Sequence, residues 1–207
     1  MDFAAALQIA LLIGFLISAV VLHETSHGAV AFYLGDPTAK ERGRLTLNPL
    51  RHIDLFWTIL FPALLFFSTH GRFALGMAKP VPVDFSRLRR PKTDMIWVAA
   101  AGPVVNLLLA SLFSLAWRKT GQDAWLFGVY LNLGLAVFNL IPIPPLDGSR
   151  IVTGLLPVRW AVRYARLESY GFLIVLALYA LGVISRIILP GIEFLCRLLH
   201  VPLPGAF

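Results

Sequence analysis

Long apolar segments separated by short polar ones dominate the chain. The first runs almost unbroken over residues 3–34, and others cover 95–117, 124–141 and 169–189. A helix of about 20 apolar residues crosses the hydrocarbon core of a bilayer. The pattern therefore predicts an all-α polytopic membrane protein with about four full transmembrane helices.

Two segments depart from this pattern. The apolar stretch 55–70 is short and Pro62 interrupts it, so we expect a re-entrant or tilted segment rather than a full crossing. Polarity alternates over 44–47, which predicts a small β-strand or hairpin after helix one, made of Arg44, Leu45, Thr46 and Leu47. Such a strand would offer an edge to an extended peptide, although a plain connector fits the same pattern.

Composition supports a single membrane domain over residues 1–207. Hydrophobic residues make up 58% of the chain and the mean hydropathy is +0.77, which excludes an ordinary soluble domain. Within this domain we expect a core over 3–156, the last transmembrane helix over 169–189 and an amphiphilic tail over 190–207. The only cysteine is Cys196, so neither an internal disulfide nor a cysteine-based zinc site is available.

The net charge of +7 predicts a lipid partner rather than a nucleic acid. Lysine and arginine occur in the loops, where they anchor a protein to the cytoplasmic leaflet, and they do not follow a groove. They are most concentrated in 72–92, with six, and 150–168, with four, which places both loops in the cytoplasm.

The first apolar segment carries the motif His23-Glu24-Thr25-Ser26-His27. Residues four apart on a helix share one face, so both imidazoles can reach one metal ion. Glu24 can lean toward the same ion as a general base without ligating it. Burying these side chains in a bilayer-length helix is costly, which favours a metal site over a polar cluster that only packs helices.

A third metal ligand must come from elsewhere, because a tetrahedral catalytic zinc takes three protein ligands and a water. Most other acids lie at loops or helix ends, and Glu168 follows an arginine-rich stretch that can pair with it. Asp147 alone lies among apolar residues, just after three prolines break the helix over 124–141. An unpaired carboxylate there is expensive, so we predict one zinc per chain on His23, His27 and Asp147.

Topology agrees with this ligand set. If 72–92 is cytoplasmic, helix 95–117 leaves the cytoplasm and helix 124–141 returns, which brings Asp147 near the cytoplasmic face. The histidines meet Asp147 only if helix one also runs inward, with its N-terminus outside. The stretch 55–70 must then begin and end on the same side of the membrane.

Three motifs in this order resemble the site-2 protease family of zinc-dependent intramembrane metalloproteases. They are the His23–His27 motif, an Ala-Gly-Pro-x-x-Asn run that ends at Asn106, and the Asn-x-x-Pro-x-Pro-x-Leu-Asp-Gly run over 139–148. Residues 43–49 and 78–83 resemble the small prokaryotic branch that lacks a PDZ domain. The stretch 55–70 departs from several better-known relatives.

The resemblance implies His23, His27 and Asp147 as zinc ligands and Glu24 as catalytic base. It also implies that Asn139 contacts substrate near the scissile carbonyl. Substrates would be transmembrane proteins or peptides, cleaved in the plasma or inner membrane of a prokaryote. Asn106 is a further candidate for substrate contact, although the small residues before it also fit simple helix packing.

Three alternatives remain open at this point. A metal-ion transporter would need ligands that continue toward both membrane faces, whereas the ligands here cluster. A proteolytically inactive binding scaffold would not need the intact Glu24. A different membrane metalloprotease would use Glu168 as third ligand in place of Asp147.

Overall fold

The computed structural model describes residues 3–68, 70–71, 76 and 78–204, and within them every regular element is helical. This confirms the predicted all-α class. The α-helices of the described residues are α1 (Phe3–Tyr33), α2 (Thr38–Glu41), α3 (Phe61–Ser68), α4 (Pro91–Thr120), α5 (Ala124–Leu140), α6 (Asp147–Leu155), α7 (Val158–Ala165), α8 (Gly171–Ala180) and α9 (Val183–Leu198). Short 3-10 turns cover Pro49–His52, Phe85–Arg87 and Arg166–Tyr170, and a π-helical stretch over Leu55–Leu60 runs into α3.

In the described part of the chain two helices are long and apolar enough to cross a membrane, namely α1 and α4. At about 1.5 Å per residue each is roughly 45 Å long, which exceeds a hydrocarbon core of about 30 Å. α5 is apolar but has only 17 residues. The described residues therefore give two candidate spans, or three if a bent pair near the C-terminus counts as one, and the predicted four are not confirmed.

That bent pair corrects the predicted helix over 169–189. α8 ends at Ala180, and the helices on either side of the break differ in direction by 78°. Gly182 lies in the break with a φ of +69°, a left-handed conformation that glycine adopts without steric cost and that ends helices. α9 then runs through the predicted boundary at 189–190, so half of the expected tail, residues 190–198, is helix; residues 205–207 lie outside the described part.

The predicted strand over 44–47 is wrong, because no strand forms in the part of the chain that the structure describes. The backbone there is already engaged in other contacts. Arg44 N donates to Ala39 O at 2.8 Å, and Thr46 O accepts hydrogen bonds from Thr25 Oγ1 at 3.0 Å and from His52 Nε2 at 2.9 Å. These bonds fold the segment against α1 as an irregular loop, which removes the free edge that a strand would offer.

The segment Leu55–Ser68 is helical and too short to cross a bilayer, at about 21 Å for 14 residues. Asp54 caps its start by accepting from Phe56 N and Trp57 N at 3.0 and 2.9 Å. None of its residues is buried. The re-entrant path expected for 55–70 stays a prediction, and Thr69 lies outside the described residues.

α4 lies at the centre of the molecule, where it packs against α1, α5 and α6. An apolar cluster joins α4 to α5 and the end of α9, and its buried members are Ala110, Leu126, Val129, Leu133, Cys196 and Val201. A second cluster supports the proline-rich loop after α5 from the side of α8 and α9, with Ile141, Leu146, Val175 and Ile184. The two clusters fix α4 and this loop relative to each other.

The start of α6 presses directly against the end of α5. A Cβ added at Gly148 would lie 2.2 Å from Leu140 O and 2.6 Å from Ile141 O, so no other residue fits without moving backbone. Asp147 is the first residue of α6 and is carried by this contact. Gly148 therefore determines where the Asp147 carboxylate lies.

We expect Gly148→Ala to destabilise the fold, because the methyl group would meet rigid backbone carbonyls. The cost of such overpacking is typically about 1–3 kcal/mol. Circular dichroism of the detergent-solubilised protein should show a thermal midpoint several degrees below that of the wild type. Gly14→Ala is the matched control, since a Cβ there meets nothing within 4 Å. Equal midpoints for the two variants would contradict the close approach of α5 and α6.

Candidate metal centre

Three side chains from two distant parts of the sequence converge at one point. His23 and His27 lie one turn apart on α1, and Asp147 reaches them from the start of α6. Nε2 of His23 and Nε2 of His27 are 3.2 and 3.3 Å from Asp147 Oδ2, and 3.1 Å from each other. The three potential ligand atoms thus form a nearly equilateral triangle.

The dimensions of this triangle fit zinc. Ligand bonds of about 2.0–2.1 Å in tetrahedral geometry place ligand atoms about 3.3–3.4 Å apart, close to the observed separations. The three side chains are only 9%, 11% and 17% exposed. Asp147 Oδ2 is buried without a hydrogen-bond donor among the described residues, which is costly unless a cation satisfies it.

The hydrogen bond at Nδ1 of each imidazole determines whether Nε2 has a free lone pair for a metal ion. Nδ1 of His27 lies 2.7 Å from Val98 O, and a carbonyl oxygen only accepts, so His27 carries its proton on Nδ1. Nδ1 of His23 lies 2.5 Å from Asn106 Oδ1 and donates in the same way. Both Nε2 atoms therefore direct lone pairs into the triangle, where a cation relieves their mutual repulsion.

Glu24 lies beside the triangle and is held by a backbone amide. Its Oε2 accepts a hydrogen bond from Val81 N at 2.9 Å. Val81 stands between Pro80 and Pro82, which have no N–H, so its amide is the only donor of that tripeptide. The loop approaching α1 thus orients the carboxylate that follows the first histidine.

A cavity of about 810 Å³ connects these groups to the surface of the protein. Its lining includes His23, Glu24, His27 and Asp147, together with Asn139 near the end of α5. The lining also includes the charged residues Asp54, Lys79, Arg150 and Glu168. The volume lies within the range of small-ligand sites and accepts a short stretch of extended chain.

Comparison with known proteins agrees with this geometry. The model of peptidase family M50 matches residues 114–182, which contain Asp147 and the prolines before it. The protein named "Putative zinc metalloprotease YwhC" of Bacillus subtilis (strain 168) is 38% identical over 189 residues, covering 84% of this chain and 82% of that protein. The chain belongs to peptidase family M50. This confirms the resemblance to the site-2 protease family drawn from the motifs.

Other relatives of the M50 chain carry the same kind of name. "Putative zinc metalloprotease Rip2" of Mycolicibacterium smegmatis is 31% identical over 180 residues, covering 84% of this chain and 67% of that protein. "Putative zinc metalloprotease MJ0611" of Methanocaldococcus jannaschii is 39% identical over 70 residues, covering 31% of this chain and 36% of that protein. No solved structure matches the chain. Family and names together support a zinc metalloprotease.

The M50 site also needs a residue without a side chain. A Cβ added at Gly102 of α4 would lie 2.5 Å from Nε2 of His23 and 2.5 Å from Nε2 of His27. Glycine at this position lets α4 pass directly behind the ligand atoms. Sequence reasoning treated the small residues of the Ala-Gly-Pro run as helix packing and missed this role, although the motif contained the signal.

Other predicted site residues lie away from the triangle. Asn106 is fully buried behind His23, whereas Asn139 lines the cavity and donates from Nδ2 to Leu135 O at 3.0 Å. Residues 44–47 lie outside the cavity lining. Arg44 instead supports the loop that holds Glu24, because its Nη2 donates to Lys79 O at 2.9 Å.

Glu168 does not join the histidines as the alternative third ligand. Its Oε1 lies 2.6 Å from Arg150 Nη2, in a partly exposed ion pair on the wall of the cavity. Val81 is a further residue at the site that sequence reasoning missed. The alternation of prolines around it was the available signal.

We expect Gly102→Ala to reduce zinc affinity about tenfold or more, because its methyl group would displace both ligand nitrogens. Zinc per chain, measured by mass spectrometry after dialysis against a weak chelator, tests this. Gly134→Ala on α5 is the control, since a Cβ there makes only an ordinary contact with Ile192 at 3.7 Å. Full zinc content in Gly102→Ala would disprove the close passage of α4.

Proposed function

We propose that this M50 chain is an intramembrane zinc metalloendopeptidase of the site-2 type. It hydrolyses peptide bonds in or near transmembrane segments of membrane proteins. The observation that carries the proposal is the triangle of His23, His27 and Asp147, with Glu24 on the wall of the same cavity. Helix α1, which carries both histidines, and helix α4, which passes directly behind them, are apolar and long enough to cross a bilayer, which supports a site within the membrane.

His23, His27 and Asp147 hold the metal in this proposal. Bound zinc supplies a Lewis acid for the scissile carbonyl and lowers the pKa of its water toward neutrality. Glu24 takes the proton from the attacking water and returns it to the leaving amine. Because Val81 N–H engages Oε2 of Glu24, the proton passes through the other carboxylate oxygen, Oε1.

Asn139 binds the substrate in this scheme. It lines the cavity near the triangle, and its amide group has two N–H donors, of which one reaches Leu135 O. The second N–H is available for the substrate backbone or the developing oxyanion. A substrate helix must unwind first, because its carbonyls are internally hydrogen-bonded and the cavity of about 810 Å³ suits an extended segment.

The orientation in the membrane follows from charge. Basic residues in 72–92 and 150–168 favour a cytoplasmic location for both segments, so the active site lies toward the cytoplasmic side with the N-terminus outside. The membrane is the plasma or inner membrane of a prokaryote. Substrates are transmembrane proteins or peptides.

Both rival functions fit the site less well. A transporter needs successive metal sites, but His23, His27 and Asp147 are the only such group of three among the described residues. An inactive scaffold has no use for Glu24, which borders the same cavity.

We expect Glu24→Gln to retain zinc and to lower the cleavage rate by about 10²–10⁴-fold, because the amide cannot accept the proton of the attacking water. Cleavage of a model transmembrane peptide by purified protein in detergent measures the rate. Zinc content measured on the same preparation is the control. Wild-type activity in Glu24→Gln would refute the assignment of the base.

We expect Asp147→Ala to lose most of its zinc, whereas Glu168→Ala should keep it. Removing one of three protein ligands weakens a tetrahedral site, while Glu168 only pairs with Arg150. Zinc analysis of the two purified variants discriminates between the two acids as third ligand. The reverse ranking would assign the third ligand to Glu168.

A further inference from the structure

Two asparagines are fully buried in the helix bundle, outside the cavity that holds the proposed reaction. Asn106 lies on α4 and Asn132 on the facing side of α5, and both are 0% exposed. An amide buried among apolar helices is costly unless its polar atoms are paired. The mechanism above uses neither side chain directly, so their presence needs a reason.

The two amides form a chain of hydrogen bonds that ends at the metal centre. Asn132 Nδ2 donates to Gly128 O at 2.8 Å, and Asn106 Nδ2 donates to Asn132 Oδ1, also at 2.8 Å. Asn106 Oδ1 then lies 2.5 Å from His23 Nδ1. The chain thus connects the backbone of α5 to a proposed zinc ligand on α1 through two side chains.

The Gly128 carbonyl, at the end of this hydrogen-bond chain away from His23, fixes the direction of every bond in it. Gly128 O is a carbonyl and can only accept, so Asn132 must turn its NH₂ group toward it and its oxygen toward Asn106. That oxygen also only accepts, so Asn106 must present its own NH₂ group to Asn132. Asn106 Oδ1 therefore faces His23, and His23 must carry its proton on Nδ1.

Asn106 Nδ2 also contacts Ala19 O, but at 3.5 Å that bond is too long to fix the amide by itself, so without Asn132 the contact between Asn106 and His23 would be ambiguous. A side-chain amide can turn over, and its NH₂ group would pair equally well with a bare Nδ1. His23 would then hold its proton on Nε2, and metal binding there would first require that proton to leave, which weakens the affinity. His27 does not face this ambiguity, because its Nδ1 partner is the carbonyl oxygen of Val98.

We propose that Asn132 is a positioning residue for the metal centre. It fixes the orientation of the Asn106 amide, and thereby the tautomer in which His23 offers the Nε2 lone pair. The proposal rests on the proposed zinc-dependent function, since a bare Nε2 matters only if a metal is bound. One side chain, that of Asn106, separates Asn132 from the proposed metal ligand His23.

The test measures the Zn²⁺ affinity of metal-stripped full-length protein in detergent by competition with a chelator. Asn106→Leu should weaken binding about 10–100-fold, as is typical for partners of metal-bound histidines. Asn132→Leu should weaken it about tenfold. Ser114→Ala is the control, because Ser114 is buried on α4 and its side chain bonds, among the described residues, only to Ser111 O. It should bind zinc like the wild type.

Two further variants separate positioning from packing. Asn132→Asp keeps an oxygen that accepts from Asn106, so its zinc affinity should stay near that of the wild type. The free energy of unfolding should follow the opposite order. Asn132→Asp should be less stable than Asn132→Leu, because burying a carboxyl group costs more than burying a leucine side chain. In the double variant Asn106→Leu/Asn132→Leu, zinc binding should be no weaker than in Asn106→Leu alone, because Asn132 acts only through Asn106.

Each contrary result overturns the proposal. Asn132→Leu with wild-type affinity, additive effects in the double variant, or Asn132→Asp binding zinc more weakly than Asn132→Leu all reject the positioning role. These results leave the zinc site itself intact, so they are distinct from failure of the proposed function. That failure would show as a wild-type protein that binds no zinc, and it would overturn both proposals.

Discussion

The structure depends on bringing three electron-rich atoms, the Nε2 atoms of His23 and His27 and Oδ2 of Asp147, within 3.1–3.3 Å of one another. Such an arrangement is unfavourable by itself, because the lone pairs repel one another and the buried Oδ2 of Asp147 finds no hydrogen-bond donor in the described part of the chain. A bound cation replaces this repulsion with attraction, because all three atoms then donate a lone pair to the same positive charge. The surrounding helices must therefore hold the ligands in place before the metal arrives, and the packing around α4 serves that purpose.

α4 supports the site without supplying a metal ligand. Gly102 leaves the space in which the imidazoles meet, Val98 O accepts from one imidazole, and Asn106 pairs with the other. All three lie on consecutive turns of one helix, so a single element supports both histidines. The proposed ligands come from α1 and α6, but their geometry comes from a helix that ligates nothing.

Local chemistry was predictable from the sequence, and long-range geometry only in part. The spacing of His23 and His27 on one helix determines a shared face, and Asp147 stood out as the one acid among apolar residues. The break in the C-terminal helix was missed because a single glycine, Gly182, marks it within a run that is largely apolar on both sides. The strand over 44–47 was wrong because tertiary hydrogen bonds to Thr25 and His52 outweigh a short alternating pattern. Roles that depend on neighbours distant in sequence, such as that of Asn132, have no local signature.

The contact between Glu24 and the Val81 amide has a consequence for how this sequence can vary. A backbone N–H is common to every residue except proline, so exchanging the side chain at position 81 leaves the bond to the carboxylate in place. Shifting the chain by one residue does not, because Pro80 or Pro82 would then face Glu24 with a nitrogen that has no hydrogen. Insertions and deletions in this loop should therefore be tolerated far less than substitutions.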